Sequence, residues 1–154
     1  MNKILALVLC LMLTLGAVSA AVAEFAPVAK DDLKVGFIFI GDVSDKGYTY
    51  AHYQGALEMQ EKLGLKDDQI VYKTNVTEDA ACDTALQELV EAGCNIIFGN
   101  SYGYMNFMEE MADEYPEVIF SHCSGFKSND TNFNNYFGAI YQARYLAGIA
   151  AGLK

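Results

Sequence analysis

The sequence predicts an α/β fold: a mostly parallel sheet with helices on both faces and strands in a flavodoxin-like order. Three observations predict it. Short apolar runs recur along the chain and are rich in β-branched and aromatic residues. The segments between them carry apolar residues at helical spacing. The runs are continuous rather than alternating, as in strands buried on both faces.

Lys34 to Ile40 reads as the first strand, and Tyr48 to Leu63 as the helix after it. Gln69 to Thr74 is the second strand. Thr77-Glu78-Asp79 then supplies a cap and an acidic first turn. The helix that follows sets Cys82, Ala85, Leu86, Leu89 and Val90 on one apolar face, and Gly93 ends it. Asn95 to Gly99 is the third strand. Ser101 to Tyr115 is the third helix, stopped before Pro116. Val118 to His122 is the fourth strand. A polar loop covers Lys127 to Asn135, a fifth strand Tyr136 to Ile140, and a fourth helix Tyr141 to Gly152.

The N-terminus precedes the fold. Met1-Asn2-Lys3 is a short positive start, Ile4 to Leu15 is uncharged and apolar, and Gly16 to Ala23 is rich in small residues. This is the order of a secretory signal peptide, residues 1–23, with cleavage after Ala23 or Ala20. The apolar run is shorter than the roughly 20 residues a membrane span needs. Residues 24–32 read as a linker and 33–154 as the folded lobe. An exported protein is expected, in a periplasm or on the outer face of the cytoplasmic membrane. Cys10 follows Leu9 inside a continuing apolar run, so it reads as part of the signal rather than as a lipid site. Cys82, Cys94 and Cys123 read as small buried hydrophobes. No cysteine or histidine spacing points to a metal, and no cofactor is expected.

The chain is 53% hydrophobic and 19% charged, which excludes a disordered protein. A formal charge of −10 argues against nucleic acid, whose phosphates need Lys and Arg.

Function is concentrated at the carboxyl ends of the strands, where open α/β sheets bind ligands. Asp45, Lys46, Gly47 and Tyr48 follow the first strand; Asn100, Ser101 and Tyr102 follow the third; His122 and Gly125 follow the fourth. Tyr53 lies one turn into the first helix. Glycines admit a ligand to the backbone, helix starts offer amide donors, and rings offer flat faces. These are parts for a neutral, planar, polar solute such as a nucleoside. Asp45 and Ser101 also suit plain helix capping, and His52 and Tyr53 also suit the core. The glycines fit neither a dinucleotide fingerprint nor a Walker loop. No serine is read in a G-x-S-x-G elbow, Gly99-Asn100-Ser101-Tyr102-Gly103 reading as short of that motif's central spacing, and no nucleophile is seen with its base. No catalytic residue is expected.

Four segments then carry a resemblance: "KVGFIFIGDVSDKGYTYAHYQG", "LVEAGCNIIFGNSYGYMNFMEEMADEYPEVIF", "SHCSG" and "NYFGAIYQARYLAGIAAG". In this order they resemble the basic-membrane-protein (BMP/PnrA-like) solute-binding proteins of bacterial ABC importers. The resemblance implies a type I periplasmic-binding fold, in which two α/β lobes close on a purine nucleoside or nucleobase. It implies delivery to a membrane permease driven by a separate ATPase. Asp45 matches the family's acidic turn residue, Tyr53 an aromatic position that stacks on the base, and Asn100, Ser101 and Tyr102 the pocket loop. The pair His52-Tyr53 stands where the family more often has tryptophan. Such proteins run to more than twice this length, so the chain reads as an N-terminal part, monomeric, without the second lobe. One lobe offers an open shelf rather than a closed site, so the 154 residues alone are expected to bind weakly or not at all. A ligand-sensing regulatory module on the same fold is the alternative expectation.

Overall fold

The computed structural model describes residues 26–154. The expected signal peptide, residues 1–23, and the first two residues of the expected linker lie outside the described residues. Five strands form one all-parallel sheet: β1 (Val35–Ile38), β2 (Ile70–Lys73), β3 (Ile96–Gly99), β4 (Ile119–Cys123) and β5 (Phe133–Tyr136). Their order is β2-β1-β3-β4-β5, the flavodoxin-like order expected. Val35 pairs with both Ile70 and Ile96, Ile96 with Ile119, and Phe120 with Phe133.

The helices are α1 (Tyr48–Leu63), α2 (Ala80–Glu91), α3 (Met105–Glu114) and α4 (Ile140–Gly152). Right-handed crossovers send a leftward step, β1 to β2, over one face and the rightward steps over the other. Alternate strand residues therefore enter two cores. Ile38, Ile97, Phe120 and Phe133 pack with Leu86 and Leu89 of α2 and Met108 of α3. Val35, Phe37 and Phe39 pack with Ala56, Tyr53 and Met59 of α1. Asp79 caps α2 by accepting the Ala81 amide, and Gly93 follows that helix at φ +83, a conformation glycine adopts without cost.

The structure departs from expectation in three places. First, β5 begins at Phe133, inside the stretch expected to be a loop. The Asn129 side chain accepts the amides of Thr131, Asn132 and Phe133. Asn132 then donates to the carbonyls of Ala112, Tyr115 and Val118. The two asparagines seat Phe133 in the core and start the strand. Second, the third helix opens as a 3-10 turn, Tyr102–Tyr104, before α3.

Third, the α1 face of the sheet is only partly covered. On the α1 side Ile96, Phe98 and Ile119 are half-exposed, and with Leu33, Met59 and Leu63 they line an open hollow of about 720 Å³. Parallel sheets ordinarily cover both faces. Here α4 buries none of its residues, so the area beyond α1 is left open.

Candidate functional site

At the carboxyl edge the chain leaves β1 through Gly41 and Asp42, makes a short 3-10 turn (Val43–Asp45) and enters α1 after Gly47. Lys46 takes the left-handed conformation at φ +54, and its ammonium lies 5.8 Å from the centre of the Tyr50 ring. Both Asp45 carboxylate oxygens are engaged. Oδ1 accepts from the amides of Gly47 and Tyr50, and Oδ2 from that of Thr49, all at 2.8–2.9 Å. These amides, that of Gly47 foremost, hold the Asp45 carboxyl below the usual carboxylate range. Asp45 thus acts as the cap of α1.

Tyr48 begins that helix and reaches across the sheet edge. Its hydroxyl donates to the Asn100 carbonyl at 2.5 Å and lies 3.6 Å from the Cys123 sulfur. Burial and the neighbouring thiol push this phenol up to about 12. His52, one turn later, stands edge-on to Tyr48 with ring centres 4.7 Å apart, and its Nε2 is 3.8 Å from Cys123 Sγ. Tyr53 points elsewhere. It meets Tyr72 edge-on at 5.4 Å within the α1-side core. Residues 52 and 53 are about 100° apart around the helix, so only one can face the crevice. The structure brings His52 there.

Between β1 and β3, Asn100 is buried. Its Oδ1 accepts the Ile40 amide at 2.9 Å, and its Nδ2 has no partner among the described residues. A buried amide donor without an acceptor is costly in a protein interior. Ser101 donates to Glu78, which also accepts the Gly103 amide, so one carboxylate ties down the loop after β3. Tyr102 is exposed, with its ring centre 6.5 Å from that of exposed Phe126. The two make an aromatic pair joining the loops after β3 and β4.

His122 is fully buried, and its Nε2 donates to the Ser101 carbonyl at 2.6 Å. Burial pulls this imidazole below its usual range, against the contrary effect of the Ser101 bond. Gly125 lies against the same ring.

Gly99 to Gly103 does spell G-x-S-x-G. The arrangement is nevertheless not that of a catalytic serine. The Ser101 hydroxyl is committed to Glu78, and the imidazole nearest Ser101 bonds its carbonyl oxygen.

The structure therefore brings Tyr48, Asn100, Ser101, His122 and Gly125 to one edge, with Tyr102 at its mouth. It sets Tyr53 apart, and Lys46 turns to the outer side of the helix start. Cys123 and Phe126 stand in the stretch after the fourth strand where the sequence concentrates function, and His52 suits either site or core, but the sequence reads Glu78 only as part of a helix cap. His52 was legible as the alternative helix face. A hollow of about 590 Å³ adjoins this edge on the α1 side of the sheet, between His52, Met59, Phe98 and Tyr136. None of the residues expected from the sequence lines it. Among the described residues no cluster of three or more metal-ligating side chains occurs, and no helix is long and apolar enough to cross a membrane.

Comparison with known proteins agrees with this architecture. A purine-binding protein of Brucella abortus is 38% identical over 138 residues, covering 87% of this chain and 39% of that protein. A Haloferax volcanii protein, provisionally named as an ABC-transporter glucose-binding protein, is 26% identical over 82% of this chain and 32% of its own length. The chain thus spans about two fifths or less of either relative. A solved ABC transporter solute-binding protein from Conexibacter woesei superposes with a TM-score of 0.60 at 21% identity, over 78% of this chain and 40% of that one. The model of the ABC transporter substrate-binding protein PnrA-like family matches residues 32–154, and the chain belongs to that family.

Proposed function

We propose that this chain forms one lobe of an exported solute-binding protein that holds a purine nucleoside or nucleobase and presents it to an ABC permease. Asn100 carries the reading at the level of atoms. Its Nδ2 is a buried donor without a partner among the described residues, just past β3, where the Tyr48 hydroxyl meets the Asn100 carbonyl; the exposed rings of Tyr102 and Phe126 pair on the loops after β3 and β4. A planar base with ring nitrogens and carbonyl oxygens supplies an acceptor for such a donor and a face for such rings. The 38% identity to a purine-binding protein supports the same ligand class. Binding without chemistry fits the edge, because neither Ser101 nor His122 is placed as a nucleophile–base pair. The name of the Haloferax relative makes a hexose the competing ligand.

The test is thermal unfolding of the 154-residue chain with adenosine, guanosine, adenine or glucose at millimolar concentration, followed by chromatography of the recovered ligand. A ligand that binds the folded state raises the melting temperature by mass action. The reading expects a rise of about one to a few degrees with at least one purine, none with glucose, and every purine recovered intact. A rise with glucose alone, or release of free base from a nucleoside, overturns it.

A further inference from the structure

Cys123 is the last residue of β4 and is 5% exposed. Its sulfur is surrounded by polar groups: Ser124 Oγ at 3.4 Å, Tyr48 Oη at 3.6 Å and His52 Nε2 at 3.8 Å. The other buried cysteines differ. Cys82 and Cys94 sit in the apolar core with Leu86 and Leu89. No disulfide is formed by these three residues.

A thiol becomes nucleophilic when a neighbouring base takes its proton and nearby donors stabilise the thiolate. His52 supplies the base. The Ser124 hydroxyl, 3.4 Å from the sulfur, supplies a donor. The His52 ring is fixed edge-on to Tyr48 at 4.7 Å and to Tyr136 at 6.5 Å. The titratable groups that face the sulfur are Tyr48 and His52 from α1 and Tyr136 from β5.

We propose that Cys123, paired with His52, is a reactive thiol on the crevice wall that takes small disulfides as its reaction partner and becomes S-thiolated. The thiol proton passes to His52 Nε2. The thiolate attacks one sulfur of the disulfide, a new S–S bond forms, and the disulfide's own S–S bond breaks. The departing thiolate leaves with that electron pair and takes up a proton. The small disulfide is reduced to its thiol as Cys123 is oxidised.

The electrostatics point the same way. Burial alone would push the Cys123 thiol up, but its polar neighbours, His52 foremost and then Ser124, outweigh it and bring the group down to about 7. Burial pushes Cys82 up to about 12, and Cys94 up to about 11.

The experiment treats the folded 154-residue chain with 4,4′-dithiodipyridine from pH 5 to pH 10. Peptide mapping by mass spectrometry assigns the label among the four cysteines of the chain. Cys123 is expected to react at least tenfold faster than Cys82 and Cys94 at pH 7, with a rate midpoint near pH 7. In His52→Gln the midpoint moves up toward the ordinary thiol value of about 8.5, while the rate at pH 10 stays within about twofold of the parent. Equal rates at pH 10 show that access to the sulfur is unchanged, which a merely structural role for His52 would not ensure. Circular dichroism confirms that the variant folds. A Cys123 no faster than the other two, or a midpoint that His52→Gln leaves in place, overturns the proposal.

Discussion

The Gly125 backbone lies against the imidazole of His122 so closely that a methyl group on its Cα would stand 2.0 Å from Nδ1 and 2.6 Å from Cε1. His122 cannot give way, since its Nε2 is bonded to the Ser101 carbonyl and its ring is buried beside Phe133. Gly125→Ala should therefore push the ring off that carbonyl and cost about 1–3 kcal/mol, as overpacking of a filled site does. Urea unfolding measures it. Gly138→Ala is the control, because nothing lies within 4 Å of a Cβ there, and it should change stability by no more than about 0.5 kcal/mol.

Asn132 makes a sharper demand on stability. One buried side-chain NH₂ serves the carbonyls of Ala112, Tyr115 and Val118, joining the end of α3 to the starts of β4 and β5. Asn132→Ala leaves these acceptors without that donor, two of them in buried surroundings. The expected loss is about 2–4 kcal/mol by urea unfolding. A loss below about 1 kcal/mol would mean that β5 is started by something else.

Asp45 gives a pH-dependent prediction. Its folded-state carboxyl is held low by the amides of Gly47, Tyr50 and Thr49, so the ionised form is favoured by folding. The contribution is fully present above the unfolded carboxylate value of about 3.9 and is lost as pH falls through the lower folded value. Asp45→Ala should be less stable than the parent at pH 7, and the two unfolding midpoints should converge as acid protonates the parent. A gap that persists unchanged into strong acid would contradict the capping role.

The parallel sheet and its strand order were legible because apolar runs and helical spacing are local signals, repeated at every crossover. The start of β5 was not legible. Asn129 and Asn132 look like ordinary loop residues in sequence, and their effect depends on carbonyls 14 to 20 positions away in the case of Asn132. The bare sheet face beyond α1 was hidden for a similar reason, since an apolar α4 reads the same whether or not it packs. At the candidate site, composition pointed to the carboxyl edge, where the structure gathers most of the expected residues, but helix phase turns His52 rather than Tyr53 toward it. Asp45 was legible as both a cap and a ligand contact, and the structure engages it as a cap. The Cys123–His52 contact joins residues 71 positions apart and had no local signature.

The central claim, that a purine sits at the carboxyl edge against Asn100, is tested most directly by following backbone and side-chain amide resonances during an adenosine titration of the 154-residue chain. The account predicts saturable shifts in the Asn100 Nδ2 group and in the amides of Tyr48, Ser101, Tyr102 and Phe126. Shifts confined to the open hollow around Ile96 and Ile119, or none at millimolar adenosine, would contradict it.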